Sequence, residues 1–333
     1  MKDESISRRR FVRAATAAAA GVAAGLTAGV QARETTPSTS KILSYNPDME
    51  YRRLGKTGAM VSAVCLGGHS RSNDEQRRNI IYRAMEAGIN YIDACWDNEV
   101  KRDAKALGSR RDQVYLALSH GAKEVRREDY RTSRKLLASL DELLRDSKQE
   151  YTDLWRITCL EPGGRHTFNT ACEIVEALEK AKKQGKARFI GFSTHDRRWI
   201  QFMIEYFPQI EVVCFPFTTM TKRAPQDSLF DALKKRDVGA FGIKPFAAGS
   251  LFTRDKAENM KRARLALRYI LASNTVIPIP GLNSVEMLDN AVKAVIERRR
   301  FDLKEQAHLD EVNRHAVASL PSNYQWLKNW QYV

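Results

Sequence analysis

In "GINYIDACWDNE", residues 88–99, an apolar run delivers an acid, Asp93, and then turns polar. A carboxylate at the end of a buried strand can act as a general acid or base, or hold a cation. Matching groups follow other apolar runs: His69, His120 and His195, with Asp97, Glu99 and Glu161 on adjoining segments. Three histidines converging with Asp93 would make a metal site or an alternative acid/base, whereas a single one would be a hydrogen-bonded loop residue. Arg156 and Thr158 in "TDLWRIT" share strand parity and one face, which makes Arg156 a candidate cation for Asp93. Arginine stays charged at any working pH, so such a pair would hold structure or grip an anion. An Arg156 that reaches a rim carboxylate or water is the alternative.

These groups need a scaffold that brings strand ends together. Eight short apolar runs are spaced like strands: "VSAVCLGG", "INYIDA", "QVYLALS", "TDLWRIT", "ARFIGFST", "EVVCFPF", "VGAFGIKPF" and "NTVIPIPG". Helical stripes lie between and after them: Leu136, Leu137, Leu140, Leu143 and Leu144; Ile174, Ala177, Leu178 and Ala181; Val285, Leu288, Val292 and Val295. Eight strand-helix units in one domain predict an α/β fold, a (β/α)8 TIM barrel whose chemistry sits on the loops after the strands. "MEYRRLGKTG" adds an N-terminal hairpin around Lys56, Thr57 and Gly58, and a helix with a tail ends the chain. A doubly wound sheet would carry a GxGxxG turn after its first strand, which "CLGGHS" does not supply.

The beginning of the chain reads as an address. "SRRRFVRAATAAAAGVAAGLTAGVQA" has a twin-arginine start, a weakly hydrophobic Ala/Gly/Val run and a small-residue end at Val30-Gln31-Ala32. The expected division is a twin-arginine signal peptide at 1–32, a Thr/Ser/Pro-rich linker at 33–48 and a barrel domain at 49–333. The expected location is periplasmic, with the export machinery as a partner and no stable membrane association after cleavage. The net charge of +15, from 55 Lys and Arg against 40 Asp and Glu, is spread over the signal and over helices such as the one ending in Arg298-Arg299-Arg300. Without aromatic interleaving or a nucleic-acid motif this is a solvated basic surface, not a nucleic-acid interface. Cys65, Cys95, Cys159, Cys172 and Cys214 lack CxxC or zinc spacing and read as small buried hydrophobes.

"YRRLGKTGAMVSAVCLGG", "GINYIDA", "ALEKAKKQGKARFIGFSTH", "GIKPFAAG" and "IPGLNSVEMLDNA" together resemble the aldo-keto reductases over essentially all of 49–333. The closing "YQWLKNWQYV" is similar to the tail of exported members. The resemblance implies hydride transfer between NADP(H) or NAD(H) and a carbonyl. It also implies an acid tyrosine, tuned by a lysine that an aspartate holds, and a histidine that positions the substrate. Asp93 matches the aspartate. Asn98 stands at the tyrosine position, Ser119 at the lysine and Thr158 at the histidine. None of the three replacements is a proton donor near neutrality, which leaves His120, beside the lysine position, as the candidate acid.

The same resemblance places a nicotinamide contact at Ser193, with Thr194 where asparagine is usual and Cys214 where glutamine is usual. It places a phosphate turn at Pro245, Phe246 and Gly249, and the 2'-phosphate segment at Gly281, Asn283, Ser284 and Asn290, where clear basic partners are lacking. Three functions follow as alternatives. The first is an oxidoreductase of altered or lost activity acting on a small-molecule substrate. The second is a non-catalytic periplasmic protein that binds an anionic ligand. The third is a metal-dependent hydrolase or lyase built on the histidines.

Overall fold

The computed structural model describes residues 41–159, 167–221 and 228–332. The expected signal peptide, the first half of the expected linker and Glu161 lie outside them. A hairpin opens the fold, with β1 (Tyr51–Arg53) antiparallel to β2 (Met60–Ser62). Seven parallel strands follow in sequential order: β3 (Tyr91–Ala94), β4 (Tyr115–Leu118), β5 (Thr152–Thr158), β6 (Ala187–Ser193), β7 (Val212–Pro216), β8 (Gly239–Ile243) and β9 (Val276–Pro278).

Between and after them run α1 (Asp74–Glu86), α2 (Asp97–Leu107), α3 (Ser133–Asp146), α4 (Phe168–Lys183), α5 (Arg197–Tyr206), α6 (Ser228–Arg236), α7 (Lys256–Leu271), α8 (Val285–Ile296) and α9 (Leu303–Ser319). Side-chain acceptors start many of them: Asn73, Thr132, Thr167, Asp196, Asp255, Ser284 and Asp302 each take a backbone N–H of the first turn.

The first expected strand is corrected. "VSAVCLGG" divides between the hairpin strand β2 and a segment, 65–67, that makes isolated bridges instead of an eighth strand. On one side Leu66 N–H donates to Tyr91 O and Asp93 N–H donates to Leu66 O. On the other, Cys65 N–H donates to Pro278 O and Gly67 N–H to Pro280 O. Prolines at 278 and 280 have no N–H to return, so a regular ladder cannot form along that edge. The sheet is therefore seven-stranded, with its edges linked by 65–67. Arg77 of α1 and Asp103 of α2, both fully buried, brace this segment, and Arg77 also donates to Gly67 O.

Two apolar layers hold the sheet. Inside it, Cys65, Tyr91, Ala117, Leu154, Cys214, Phe241 and Ile277 pack together, and Leu54 from the hairpin joins the same cluster. Outside it, the helices bury the expected stripes of α3 and α4; Leu136, Leu140, Ile174 and Leu178 are fully buried, each worth about 1.5–3 kcal/mol. In α8 the stripe is corrected. Val285 is exposed and Val292 half-buried, while Leu288, Ala291, Ala294 and Val295 face the core.

The described end of the expected linker is tied to the body. Leu43 packs against the inner cluster, Ser44 Oγ donates to Gln113 O and Asn46 Nδ2 to Glu86 O. All five cysteines are free thiols, three of them buried. Burial pushes the Cys65, Cys159 and Cys214 thiols well above the usual range, as suits small hydrophobes. No helix among the described residues is long and apolar enough to cross a membrane.

Candidate active site and nucleotide groove

Asp93 ends up in a bidentate ion pair. Arg156 Nε donates to its Oδ2 at 2.6 Å, and Arg156 Nη2 donates to Oδ1. Both side chains are buried, at 6% and 4% exposure. Burial alone would lower the Arg156 pKa, but Asp93 outweighs it and raises the pKa well above the usual arginine value. The guanidinium is thereby committed, and the cation on which anion gripping rested is neutralised in place.

Beside the pair lie two hydroxyls, at the positions where the sequence resemblance implied a lysine and a histidine. Ser119 Oγ and Thr158 Oγ1 lie 2.5 Å apart. A residue invisible to sequence reasoning organises them. Glu124, fully buried, accepts from Ser119 Oγ at 2.9 Å, Thr158 N–H at 2.7 Å, His120 N–H at 2.9 Å and Trp155 Nε1 at 3.3 Å. It follows β4 by six positions in a polar stretch with no periodicity, so nothing in the sequence marked it. The half-buried Cys95 completes the floor, with Sγ 3.9 Å from Ser119 Oγ and 3.8 Å from Thr158 Oγ1.

Asn98 does not join this centre. It is exposed in the first turn of α2, where its Oδ1 accepts from Glu99 N–H. Nor do the three histidines converge, and among the described residues no three His, Cys, Asp or Glu side chains form a metal-binding group. The His195 ring packs against Trp326 of the tail with 4.8 Å between centroids, and its carbonyl accepts from Trp330 Nε1. His69 is exposed and sits over Glu99, whose carboxylate also accepts from His69 N–H and Cys95 N–H. Burial pushes the Glu99 carboxyl up, but the His69 ring and these backbone N–H groups outweigh it and hold the pKa at about 2. Glu99 fits there because Gly68 presents no Cβ; one would lie 2.5 Å from Glu99 Oε2. His120 is different. It is buried at 4% exposure, and its Nδ1 has no hydrogen-bond partner among the described residues.

The expected cofactor residues fall in two places. Ser193 and Cys214 are directly paired across β6 and β7, and Thr194 N–H donates to Cys214 O; all three are buried. The second place is an open groove of about 660 Å³ between α7 and α8, lined by Phe246, Phe252, Met260, Leu282, Ser284 and Asn290 among others. Its size is that of a small-molecule site. The turn leading to it is strained, with positive φ at Lys244, Ala247, Ala248 and Gly249. Such strain concentrates at ligand clamps. Pro245 is buried in the same turn. Ser284 caps α8, Asn290 Nδ2 donates to Met260 O, and Asn283 Oδ1 accepts from Arg71 N–H. Gly281 forms a bridge with Gly67 instead of lining the groove.

The model of the aldo/keto reductase family matches residues 63–263. The chain belongs to this family. Among curated relatives, L-galactose dehydrogenase of Arabidopsis thaliana is 24% identical over 323 residues, covering 84% of this chain and 97% of that protein. L-glyceraldehyde 3-phosphate reductase of Escherichia coli is 26% identical, covering 61% and 63%. Among solved structures, an aldo-keto reductase of Bacillus halodurans in its holo form superposes with a TM-score of 0.64 at 21% identity, covering 83% of this chain and 99% of that one. An aldo-keto reductase of Klebsiella pneumoniae in complex with NADPH gives 0.64 at 19% identity, covering 82% and 96%. In this aldo/keto reductase, Asp93 faces an arginine, and Ser119 Oγ and Thr158 N–H beside it donate to a buried glutamate.

Proposed function

We propose that this aldo/keto reductase is an exported, NAD(P)(H)-linked oxidoreductase of a small carbonyl or alcohol, with a rebuilt acid-base centre. The observation that carries the reading is the open apolar groove beside the strained turn at 244–249, in a chain whose family is built around hydride transfer. Its Phe246 and Phe252 rings, 5.1 Å apart, form an aromatic wall suited to a flat base. The free N–H groups at the start of α8 suit a phosphate. Two relatives are described as acting on L-galactose and on L-glyceraldehyde 3-phosphate, which supports a small hydroxylated carbonyl compound as the substrate class. The twin-arginine signal at 1–32 supports periplasmic delivery of a chain folded with its nucleotide in place.

The nicotinamide would supply or take the hydride. The chain's own contribution is to bind, orient and protonate. Asp93 and Arg156 hold the floor as a closed pair and move no proton. Ser119, Thr158 and Cys95 present polar edges above it. His120, directly after Ser119, is the proposed acid: its Nδ1, buried and unpaired, gives a proton to the oxygen that gains charge when hydride arrives. His120→Ala should abolish turnover of a carbonyl substrate while nucleotide binding, read by calorimetry, stays within about twofold of the parent. Full activity in His120→Ala would remove His120 from the role.

A further inference from the structure

We propose that His69 is a pH-operated latch on Trp96, the side chain that flanks the thiol and hydroxyl centre, and that protonation of His69 releases it. One ring nitrogen is claimed twice. Trp96 Nε1 donates to His69 Nδ1 at 3.2 Å, and Glu99 Oε1 lies 3.1 Å from the same Nδ1. An indole N–H needs a lone pair on that nitrogen and a carboxylate needs a proton there, so the two contacts exclude each other. A neutral imidazole can carry its proton on Nε2 and keep Nδ1 bare for Trp96. A protonated one has a proton on both nitrogens and only donates.

The neighbours select the neutral form. Glu99 is already served by the backbone: Oε1 accepts from His69 N–H at 2.5 Å, and Oε2 from Cys95 N–H at 3.1 Å and Trp96 N–H at 3.4 Å. Trp96 Nε1 has no other acceptor among the described residues. The His69 side chain is 64% exposed, which leaves its Nε2–H to water. Once His69 takes a proton, Glu99, ionised down to a pKa of about 2, holds the ring as an ion-pair partner and Trp96 loses its acceptor. The indole is the part that moves, because His69 sits at a left-handed φ of 57° with its own N–H tied to Glu99.

The released ring is a neighbour of the centre. A Cβ at Gly121 would lie 3.3 Å from Trp96 Cζ3 and 3.4 Å from Cys95 Sγ, so the indole edge and the thiol sit side by side over Gly121. Cys95 Sγ in turn meets the Ser119 and Thr158 hydroxyls, and swinging the indole away uncovers all three. The other charges around the ring are placed elsewhere. Arg102 of α2 donates to Ser70 O and Ser72 O beside Asp103, Lys101 pairs with Asp97, and Arg71 on the ring's own segment is exposed. His120, next to Gly121, and Cys95 are the other titratable groups near the indole.

The test is NMR of the full chain with labelled indole nitrogens, in which the Trp96 resonance is the one missing from Trp96→Phe. Between about pH 8 and about pH 5 the parent's Trp96 N–H should shift upfield as its hydrogen bond breaks. In His69→Asn, a residue that accepts the left-handed backbone, the resonance should sit at the released position at both pH values, with the other four indoles unmoved as the sign of an intact fold. Alkylation of Cys95 at about pH 8, located by peptide mass, should be severalfold faster in His69→Asn than in the parent, while half-buried Cys172 reacts equally in both. A parent Trp96 resonance that ignores pH overturns the latch. A shift that persists unchanged in His69→Asn assigns it to another group, His120 or Cys95, and also overturns the latch. Equal Cys95 rates in the two proteins overturn the uncovering of the centre.

Discussion

Asp93→Ala should destabilise the protein by about 3–5 kcal/mol, the cost of leaving one member of a buried ion pair alone. The cause is local. Arg156 is 4% exposed, and among the described residues no other carboxylate shares its ion pair. Around the pair lie the Cys65 and Cys214 thiols and the Tyr91 ring, all buried and all carried by the inner apolar layer. An isolated guanidinium there would be expelled, neutralised or hydrated, and each alternative disrupts the layer.

The double replacement Asp93→Leu with Arg156→Met should recover most of the loss, because removing both charges leaves no uncompensated group. Denaturant midpoints at unchanged m-value make the comparison. A loss below about 1 kcal/mol in Asp93→Ala would show that the pair is not the buried, committed unit described here. Because Asp93 is committed to Arg156, its change should read out first as stability.

Glu124→Ala should cost about 3 kcal/mol or more, since four donors lose their acceptor at once and each buried orphan costs about 1–3 kcal/mol. The donors come from two separate pieces of chain: Ser119 and His120 after β4, and Trp155 and Thr158 of β5. The carboxylate therefore fastens the ends of β4 and β5, which pair only at Ala117 with Leu154 and Leu118 with Trp155. Glu124→Gln should recover part of the loss by keeping one oxygen acceptor, while its amide nitrogen faces donors. Amide hydrogen exchange should show the Thr158 and His120 N–H groups losing protection in Glu124→Ala. Retained protection at both would contradict the network.

The fold was legible where periodicity was clean. Strand parity in "TDLWRIT" put Arg156 on the face of Asp93, and the Leu stripe of α3 and the Ile/Ala/Leu stripe of α4 pack as their spacing predicts. It was misread where one apolar run served two elements: "VSAVCLGG" supplies both a hairpin strand and a bridging segment, and prolines on the facing edge set that outcome. The candidate site was legible only in part. Ser119 and Thr158 lie beside one another, yet Asn98 turns to its own helix start, and the partner of the other two is a loop glutamate without sequence signal. Loop-borne side chains such as His69 and His195 take their directions from Glu99 and from the Trp326 ring, which no spacing rule connects to them.

The central claim is the proposal that the groove holds a nucleotide. Protein produced from the full chain should be purified natively, denatured, and the released small molecules examined by absorbance and mass. The account predicts NAD(H), or another dinucleotide of that kind, released in stoichiometric amount. An empty protein that also fails to bind added NADH and NADPH at about millimolar concentration, weaker than most cofactor sites, would contradict it.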